Sequence, residues 1–289
     1  MRLLHNIVYL QDRAAFTRDI SLRFTSYVKQ AMMLELGYEE LEIAKMIFDI
    51  SSARYNNGTI SRGLMLQSKI DYETIKIKNE ALRLASITSY YELLKFAGID
   101  EEIELDTEYT FVLNIKNDLT NSPDLKVLQT SQDKFSSEAI LHLNKISWMS
   151  VFAEYESEPE QDITRVGINF PLAFFNDKTQ ERTIAMLKSS ATELLINNEI
   201  KKLQLDNKRL KQARIFLKKQ NSANKSILDD EMELLKMFQD GYKIANINLL
   251  QLQDIKNKIV STKRNLINIK IALDNNAIIT NYNKGEYND

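Results

Sequence analysis

The sequence predicts a mainly α protein made of long antiparallel, coiled-coil-like helices with one β-hairpin. Three observations predict it. Seven Gly and three Pro stand in 289 residues, about 3.5% of the chain against a usual ~12%, which removes turn-rich sandwiches. Two stretches are nearly free of both: Ala14 to Phe96, broken near Asn56-Asn57-Gly58, and Asp177 to Lys284, with only Gly241 inside. At 1.5 Å per residue, about 65 helical residues span ~97 Å, longer than an ordinary globular domain is thick. Lastly, one segment alternates apolar and polar residues with a period of two, as a strand does and a helix does not.

The long stretches carry the periodicity of helices packed lengthwise. Ile196, Ile200, Leu203, Asn207, Leu210, Arg214 and Leu217 step alternately by four and three. Ile255, Ile259, Thr262, Leu266, Ile269 and Leu273 do the same. This is a 3.5-residue seam, and the Lys-, Asn-, Gln- and Glu-rich remainder reads as solvated helix surface. Between the stretches, residues 99–120 are mixed, with short strand-like pieces. Asn121-Ser122-Pro123-Asp124 opens a helix running to about His142, with Ser122 as candidate cap and Pro123 at the first helical position.

ISWMSVFAEYE and ITRVGINFPL then read as two strands of about ten residues. The predicted connection between them is centred on Ser157-Glu158-Pro159-Glu160 and takes in Gln161 and Asp162. Val166, Ile168 and Phe170 share one face, and Arg165, Gly167 and Asn169 the other. Met149, Val151, Ala153 and Tyr155 form one face of the first strand. Ten residues suffice for a tilted strand to cross a bilayer, and alternation alone fits equally a soluble hairpin packed on helices.

Composition excludes several classes. Net charge is −2, from 38 basic and 40 acidic residues, so nothing calls for a nucleic-acid partner. Cys is absent, which removes disulfides, thiolate metal sites and cysteine nucleophiles. The two histidines, His5 and His142, are too few for a three-His metal site. No Gly-rich phosphate loop is present, and Glu101-Glu102 and Asp229-Asp230-Glu231 read as solvated charge runs. The expectation is a non-enzyme with no cofactor and no metal. No run of 18 apolar residues offers a transmembrane helix, and the opening MRLLHNIVYLQDRAAF lacks a signal-peptide pattern.

The chain also repeats itself. Tyr55-Asn56-Asn57-Gly58-Thr59-Ile60-Ser61 resembles Tyr242-Lys243-Ile244-Ala245-Asn246-Ile247-Asn248 at an offset of 187 residues. The same offset carries Gly98 onto Gly285 without a gap. Each half reads as a long helix, a tight turn and a returning helix ended by Gly.

These features together resemble the TolC family of outer-membrane efflux proteins. YNNGTISRGLMLQSK through LLKFAG is similar to the family's Tyr-x-x-Gly turn and returning helix. NSPDLKVLQTSQDKF is similar to its Pro-Asp-Leu helix opening. ISWMSVFAEYE with ITRVGINFPLAFFND is similar to its second hairpin, which leaves through Gly-x-x-x-Pro-Leu into a long helix, and DGYKIANINLLQLQDIKN to its second turn. The match runs over about residues 10–285, in family order.

The resemblance implies a homotrimer whose helices form part of an α-helical barrel in the periplasm, while the hairpin contributes to an outer-membrane β-barrel in contact with lipid. On this basis the chain divides into 1–98 (first long helix, turn and return), 99–121 (mixed equatorial segment), 122–145 (helix), 146–172 (transmembrane-type hairpin) and 173–289 (second long helix, turn and return). Three copies would give six strands where the family barrel uses twelve. The expectation is therefore an N-terminally truncated member, with signal peptide, opening helix and first two strands lost.

The implied function is that of a passive exit duct in a tripartite efflux or type I secretion system. Its partners would be a periplasmic membrane-fusion adaptor and an inner-membrane pump of RND or ABC type. Implied adaptor contacts are the turn residues Gly58, Thr59, Ala245 and Asn246. The implied periplasmic aperture uses Tyr242, Gln251 and Asp254, with Arg62 as stand-in for a family Arg that falls on Ile247. Asp254 reads alternatively as an ordinary exposed helix carboxylate. In a barrel wall Val166, Ile168 and Phe170 would face lipid. The competing class is a soluble coiled-coil scaffold or periplasmic adaptor. It explains the heptads but not the Pro-Leu strand exit or the matched turns, and seven Gly leave little room for an adaptor's Gly-rich domains.

Overall fold

The computed structural model describes residues 2–114, 119–142, 149–170, 178–243 and 248–286. About 79% of it is helical. The elements are α1 (Arg2–Asn56), α2 (Arg62–Ala97), α3 (Pro123–Leu141), β1 (Ser150–Glu158), β2 (Gln161–Asn169), α4 (Thr179–Lys243) and α5 (Leu249–Asn283). The first long helix starts at Arg2, well before Ala14. No described helix is long and apolar enough to cross a membrane.

The chain divides into two compact units. One comprises residues 1–13 and 118–204. In it Leu125 of α3 is buried with Ile196 and Leu203 of α4, flanked by Leu119, Leu128 and Ile200. The Gln11 amide donates to Asp124 Oδ1 at 2.7 Å. Ser122 sits at the N-cap position of α3, yet its side chain makes no cap hydrogen bond and its buried Oγ has no partner. The predicted side-chain cap is thus corrected. Pro123 lacks an N–H, so this helix start has one donor fewer to satisfy, and the Ser122 carbonyl accepts from Lys126 N at 3.0 Å.

The hairpin belongs to the same unit, and its connection is shorter than predicted. β1 and β2 pair antiparallel with Glu158 opposite Gln161, leaving Pro159-Glu160 as a two-residue turn. The polar residues counted as loop continue the ladder, because backbone pairing does not require apolar side chains.

The second unit comprises residues 14–117 and 205–289. Here α1 packs along α5: Leu36 is buried with Val260 and Ile267, beside Met32 and Met33. Nearer the turns, Ile47 joins Leu235, Tyr242, Leu249, Leu252, Ile255 and Ile259. α2 lies on α1 through stacked Phe48 and Tyr72, 6.0 Å between centroids, and through Tyr27 and Tyr90. All seven seam positions from Ile196 to Leu217 are buried or half-buried, as are all six from Ile255 to Leu273.

Residues 99–114 form no strand, which corrects the expectation of strand-like pieces. Side chains of α5 take up this segment's backbone groups instead. Asn281 accepts from Asn114 N at 3.0 Å and donates to the Val112 carbonyl at 2.9 Å. Asp274 Oδ1 accepts from Phe111 N at 3.2 Å, while Lys270 and Lys284 donate to the carbonyls of Thr107 and Asn114. An amide that both donates and accepts satisfies the segment much as a neighbouring strand would.

The 187-residue repeat is legible in the caps. Ser61 caps α2 by accepting from Leu64 N, and Asn248 caps α5 by accepting from Gln251 N. Both members of each pair are related by the offset. Gly98 and Gly285 follow the two helices with φ of +70° and +67°, the left-handed region that favours glycine at a helix end.

Candidate functional site

The α1–α2 turn is closed by its own backbone. Asn57 N donates to the Ala53 carbonyl, Gly58 N to Tyr55 and Thr59 N to Arg54. The Thr59 hydroxyl adds a second bond to the Arg54 carbonyl at 2.9 Å. Gly58 takes φ +70° with open space where a side chain would stand. This turn therefore presents Gly58 and Thr59 to solvent. Ala245 and Asn246 of the second turn lie outside the described residues, as does Ile247.

Beside that turn, the end of α4 is locked to α1. Tyr242 is 1% exposed, and its hydroxyl lies 2.8 Å from Ser51 Oγ. Ser51 donates its single proton to the Ile47 carbonyl, so the phenol is the donor of the pair. The Arg54 guanidinium lies 4.6 Å over the Tyr242 ring and donates to the Tyr242 carbonyl at 3.1 Å. Arg54 thus binds one residue twice, by cation–π attraction and by a charge-assisted hydrogen bond. Arg62, the expected stand-in, is the exposed first residue of α2.

A second lock joins α5 to α2. Lys256 is fully buried, and its ammonium meets Asp71 Oδ2 at 2.6 Å. A buried ammonium is tolerated only with such a partner. Gln251 and Asp254 lie on the exposed side of the same helix. Gln251 is the third residue of a capping box, its side-chain oxygen accepting from Asn248 N. Asp254 pairs with Lys258 one turn on, at 2.8 Å. That bond holds the Lys258 ammonium above its ordinary pKa, first through the hydrogen bond and then through the charge. The Asp254 carboxylate is consequently half of an exposed ion pair.

The hairpin sorts its side chains by face. Opposed pairs Val151–Ile168, Ala153–Val166 and Tyr155–Thr164 share one face. Val151, Tyr155, Val166 and Ile168 there are 57–72% exposed, and Phe170 just beyond is 49% exposed. On the other face Arg165 bridges Glu154 and Glu156 at 3.7 and 3.1 Å. Phe152 lies over Gly167 so closely that a Cβ there would stand 2.7 Å from the ring.

Sequence reasoning missed Ser51, Arg54, Asp71 and Lys256. Two signals existed. Arg54 lies in the last turn of α1, where a cation suits the helix end. Lys256 matches Lys69 across the repeat and follows the seam residue Ile255 directly. Neither signal names the partner, which comes from a distant helix.

No family model matches the sequence, and no curated protein matches it. Solved structures do. CusC, described in connection with transmembrane channel formation, is 12% identical, with TM-score 0.80 over 99% of this chain and 71% of its own. VceC, an outer membrane protein of Vibrio cholerae, is 12% identical, with TM-score 0.79 over 98% of this chain and 72% of its own. The Campylobacter jejuni outer membrane channel CmeC is 15% identical, with TM-score 0.71 over 98% of this chain and 65% of its own. The fold is therefore that of TolC-type outer-membrane channels, long helical hairpins joined to a β-hairpin, over nearly the whole length of this chain.

Proposed function

We infer that this chain is a subunit of a homotrimeric outer-membrane channel, the passive exit duct of a tripartite efflux or type I secretion system. An inner-membrane pump of RND or ABC type supplies the energy, and a periplasmic adaptor connects the two. The helices stand in the periplasm and the hairpin contributes to the membrane wall. The observation that carries this reading is the hairpin's face of exposed Val151, Tyr155, Val166 and Ile168, backed by an ion-paired polar face. One face suits lipid and the other an aqueous lumen.

The duct does no bond chemistry. Its work is to hold a narrow end shut and release it. Tyr242, held by Arg54 and Ser51, and Lys256, held by Asp71, tie the two helical hairpins together near their turns. Gln251, Asp254 and Arg62 lie on exposed surface at the same end of their helices. In a trimer three Asp254 carboxylates add a cation preference, offset by three Lys258. Gly58 and Thr59, with Ala245 and Asn246 of the second turn, form the adaptor-facing surface, where a small residue lets a partner backbone approach closely.

Planar-bilayer conductance of a full-length version, in which each protomer carries both hairpins of the family barrel, tests this. Channels of defined conductance are expected, with open probability raised by Arg54→Ala or Tyr242→Phe and cation preference lowered by Asp254→Asn. Ile168→Arg should cost about 2–4 kcal/mol in membrane stability near the bilayer midplane, and Asn169→Arg much less. Gly167 is unsuitable as that control, because Phe152 covers it. A full-length version that stays soluble and forms no channels would overturn the assignment.

A further inference from the structure

The two returning helices end in the same backbone motif, completed by different residues. After α2, Gly98 N donates to the Lys95 carbonyl and Ile99 N to the Leu94 carbonyl. After α5, Gly285 N donates to the Tyr282 carbonyl and Glu286 N to the Asn281 carbonyl. This pair of bonds closes a helix over a left-handed residue, and an apolar contact between its two outer positions frequently accompanies it. The first half carries Leu94 and Ile99 there; the second carries Asn281 and Glu286 at the same offset. Neither of the latter is apolar, and Glu286 Oε2 is buried without a hydrogen-bond partner. An unpartnered buried carboxylate oxygen is costly, and the isoleucine of the other half would avoid that cost. Departures from a local rule of this kind are characteristic of functional sites.

Glu286 and Asn281 line a cavity of about 230 Å³. Arg18 of α1, Tyr109 and Phe111 of the 99–114 segment and Tyr282 of α5 complete its charged and aromatic wall. The rings of Tyr109 and Phe111 meet edge to face at 5.1 Å, and each packs edge-on against Phe24 of α1 at 6.2 Å. Arg18 is already engaged, bonded to Asp19 at 2.7 Å and lying 4.4 Å over the Tyr282 ring. The unanswered charge of the lining is therefore the Glu286 carboxylate. We propose that this cavity binds a small organic ammonium ion, its N–H groups donating to Glu286 and its carbon frame lying among Tyr109, Phe111 and Tyr282. Aromatic walls attract such a cation, and a carboxylate bonds it more strongly than a neutral acceptor does. A metal ion suits the site less well. Hard cations need several oxygen ligands, and among the described residues no three acidic or histidine side chains are grouped to hold one. The volume falls below the ~300–1,000 Å³ of sites for drug-sized ligands, so the occupant is small. None of this depends on the channel reading, because every lining residue belongs to one compact unit of the chain. Once bound, the ligand would tie α1, the 99–114 segment and the end of α5 together at one point.

Isothermal titration of the purified chain with benzylammonium chloride tests this, with benzyl alcohol as the neutral counterpart and potassium chloride as the inorganic one. Benzylammonium should bind once per chain, about tenfold or more tighter than benzyl alcohol, since only the cation can pair with Glu286. It should also slow amide exchange within residues 109–112, and potassium chloride at equal concentration should not. Glu286→Gln keeps the size and should weaken binding about tenfold. Glu286→Ile installs the residue of the other half. It should abolish binding while raising the urea midpoint of the ligand-free protein, which separates loss of the site from loss of the fold. Tyr109→Leu should weaken binding several-fold without lowering the stoichiometry. No binding of benzylammonium to the folded protein overturns the proposal. Equal binding of benzyl alcohol overturns it as well, by making the cavity an apolar site, and equal protection by potassium chloride does so by making it a site for an inorganic ion. Unchanged affinity in both Glu286 variants would place the amine elsewhere and overturn it too.

Discussion

Helix α2 begins behind Ser61, which caps Leu64 N, and ends ahead of left-handed Gly98 after 36 residues. Helix α5 begins behind Asn248, which caps Gln251 N, and ends ahead of left-handed Gly285 after 35. Yet seventeen residues of α5 are buried and five of α2. Start, stop and length are set by the residues at each end, and they agree. Burial is set by neighbours, and it does not. α5 touches α1 through Thr25–Asn275 and α4 through the Asn276 amide on the Leu210 carbonyl. α2 has α1 along its length and α5 at Asp71, and it leaves Ile70, Ile77 and Leu84, seven residues apart, 66–74% exposed.

The sharpest way to break this comparison is to truncate equivalent positions. Leu252, 0% exposed, should cost about 3–5 kcal/mol as Ala, whereas its partner Met65, half-buried, should cost about 1 kcal/mol. Urea midpoints read both, and equal losses would mean that the two helices share one environment. Next comes the lysine pair. Lys256→Ala leaves the Asp71 carboxylate without its ion-pair partner and should cost about 2–4 kcal/mol, while exposed Lys69→Ala should change stability by less than ~0.5 kcal/mol. Lys256→Met alone should recover little, because it still leaves Asp71 unpaired, whereas Lys256→Met with Asp71→Leu should recover most of the loss, because replacing both members of a buried pair by apolar residues is often close to neutral.

The caps should differ little. Ser61→Ala and Asn248→Ala should each cost about 1 kcal/mol, with Asn248 a few tenths higher for its reciprocal Gln251 bond. Amide exchange in the first turn of each helix reads this locally. The smallest effect is one of pH. Burial pushes the Asp274 carboxyl above the usual carboxylate range, and the Phe111 N–H, Lys270 and Arg214 only partly offset it. A carboxyl raised in the folded state binds its proton more tightly there. Its contribution is therefore greatest in acid and fades as pH rises through the raised value. Asp274→Asn keeps an acceptor for Phe111 and should flatten this dependence, seen as a smaller difference between urea midpoints at acidic and neutral pH.

Much of the architecture was legible because it rests on patterns within one helix. The seams at Ile196–Leu217 and Ile255–Leu273, the Gly58 turn and the terminal glycines need only spacing and residue type. The hairpin faces followed from period two, whereas its turn did not, since Ser157, Glu158, Gln161 and Asp162 are polar residues that pair through their backbones. Residues 99–114 misled for the opposite reason. Their β-branched and aromatic residues suit a strand, but the acceptors and donors that hold them stand on a helix about 170 residues away. The same holds for the locks at Tyr242 and Lys256. Tyr242 could be singled out in sequence; that Arg54 covers its ring and Ser51 accepts its hydroxyl depends on how α1 lies against α4.

The 65 residues of α4 impose a grammar of length on this protein. Deleting one residue anywhere in that helix turns everything beyond it by about 100° and draws it back ~1.5 Å. Leu235 and Tyr242 would leave the core together, and Arg54 would lose its ring. Seven residues removed at once nearly preserve the facing, with a drift of about 20°. The helix would then be roughly two turns short of its neighbours, unless α5 and the hairpin α1–α2 lost seven as well. Variation in length among relatives of this protein should accordingly come in heptads, and in all four helices at the same level. A lone insertion belongs only in the two turns, where no seam has to continue.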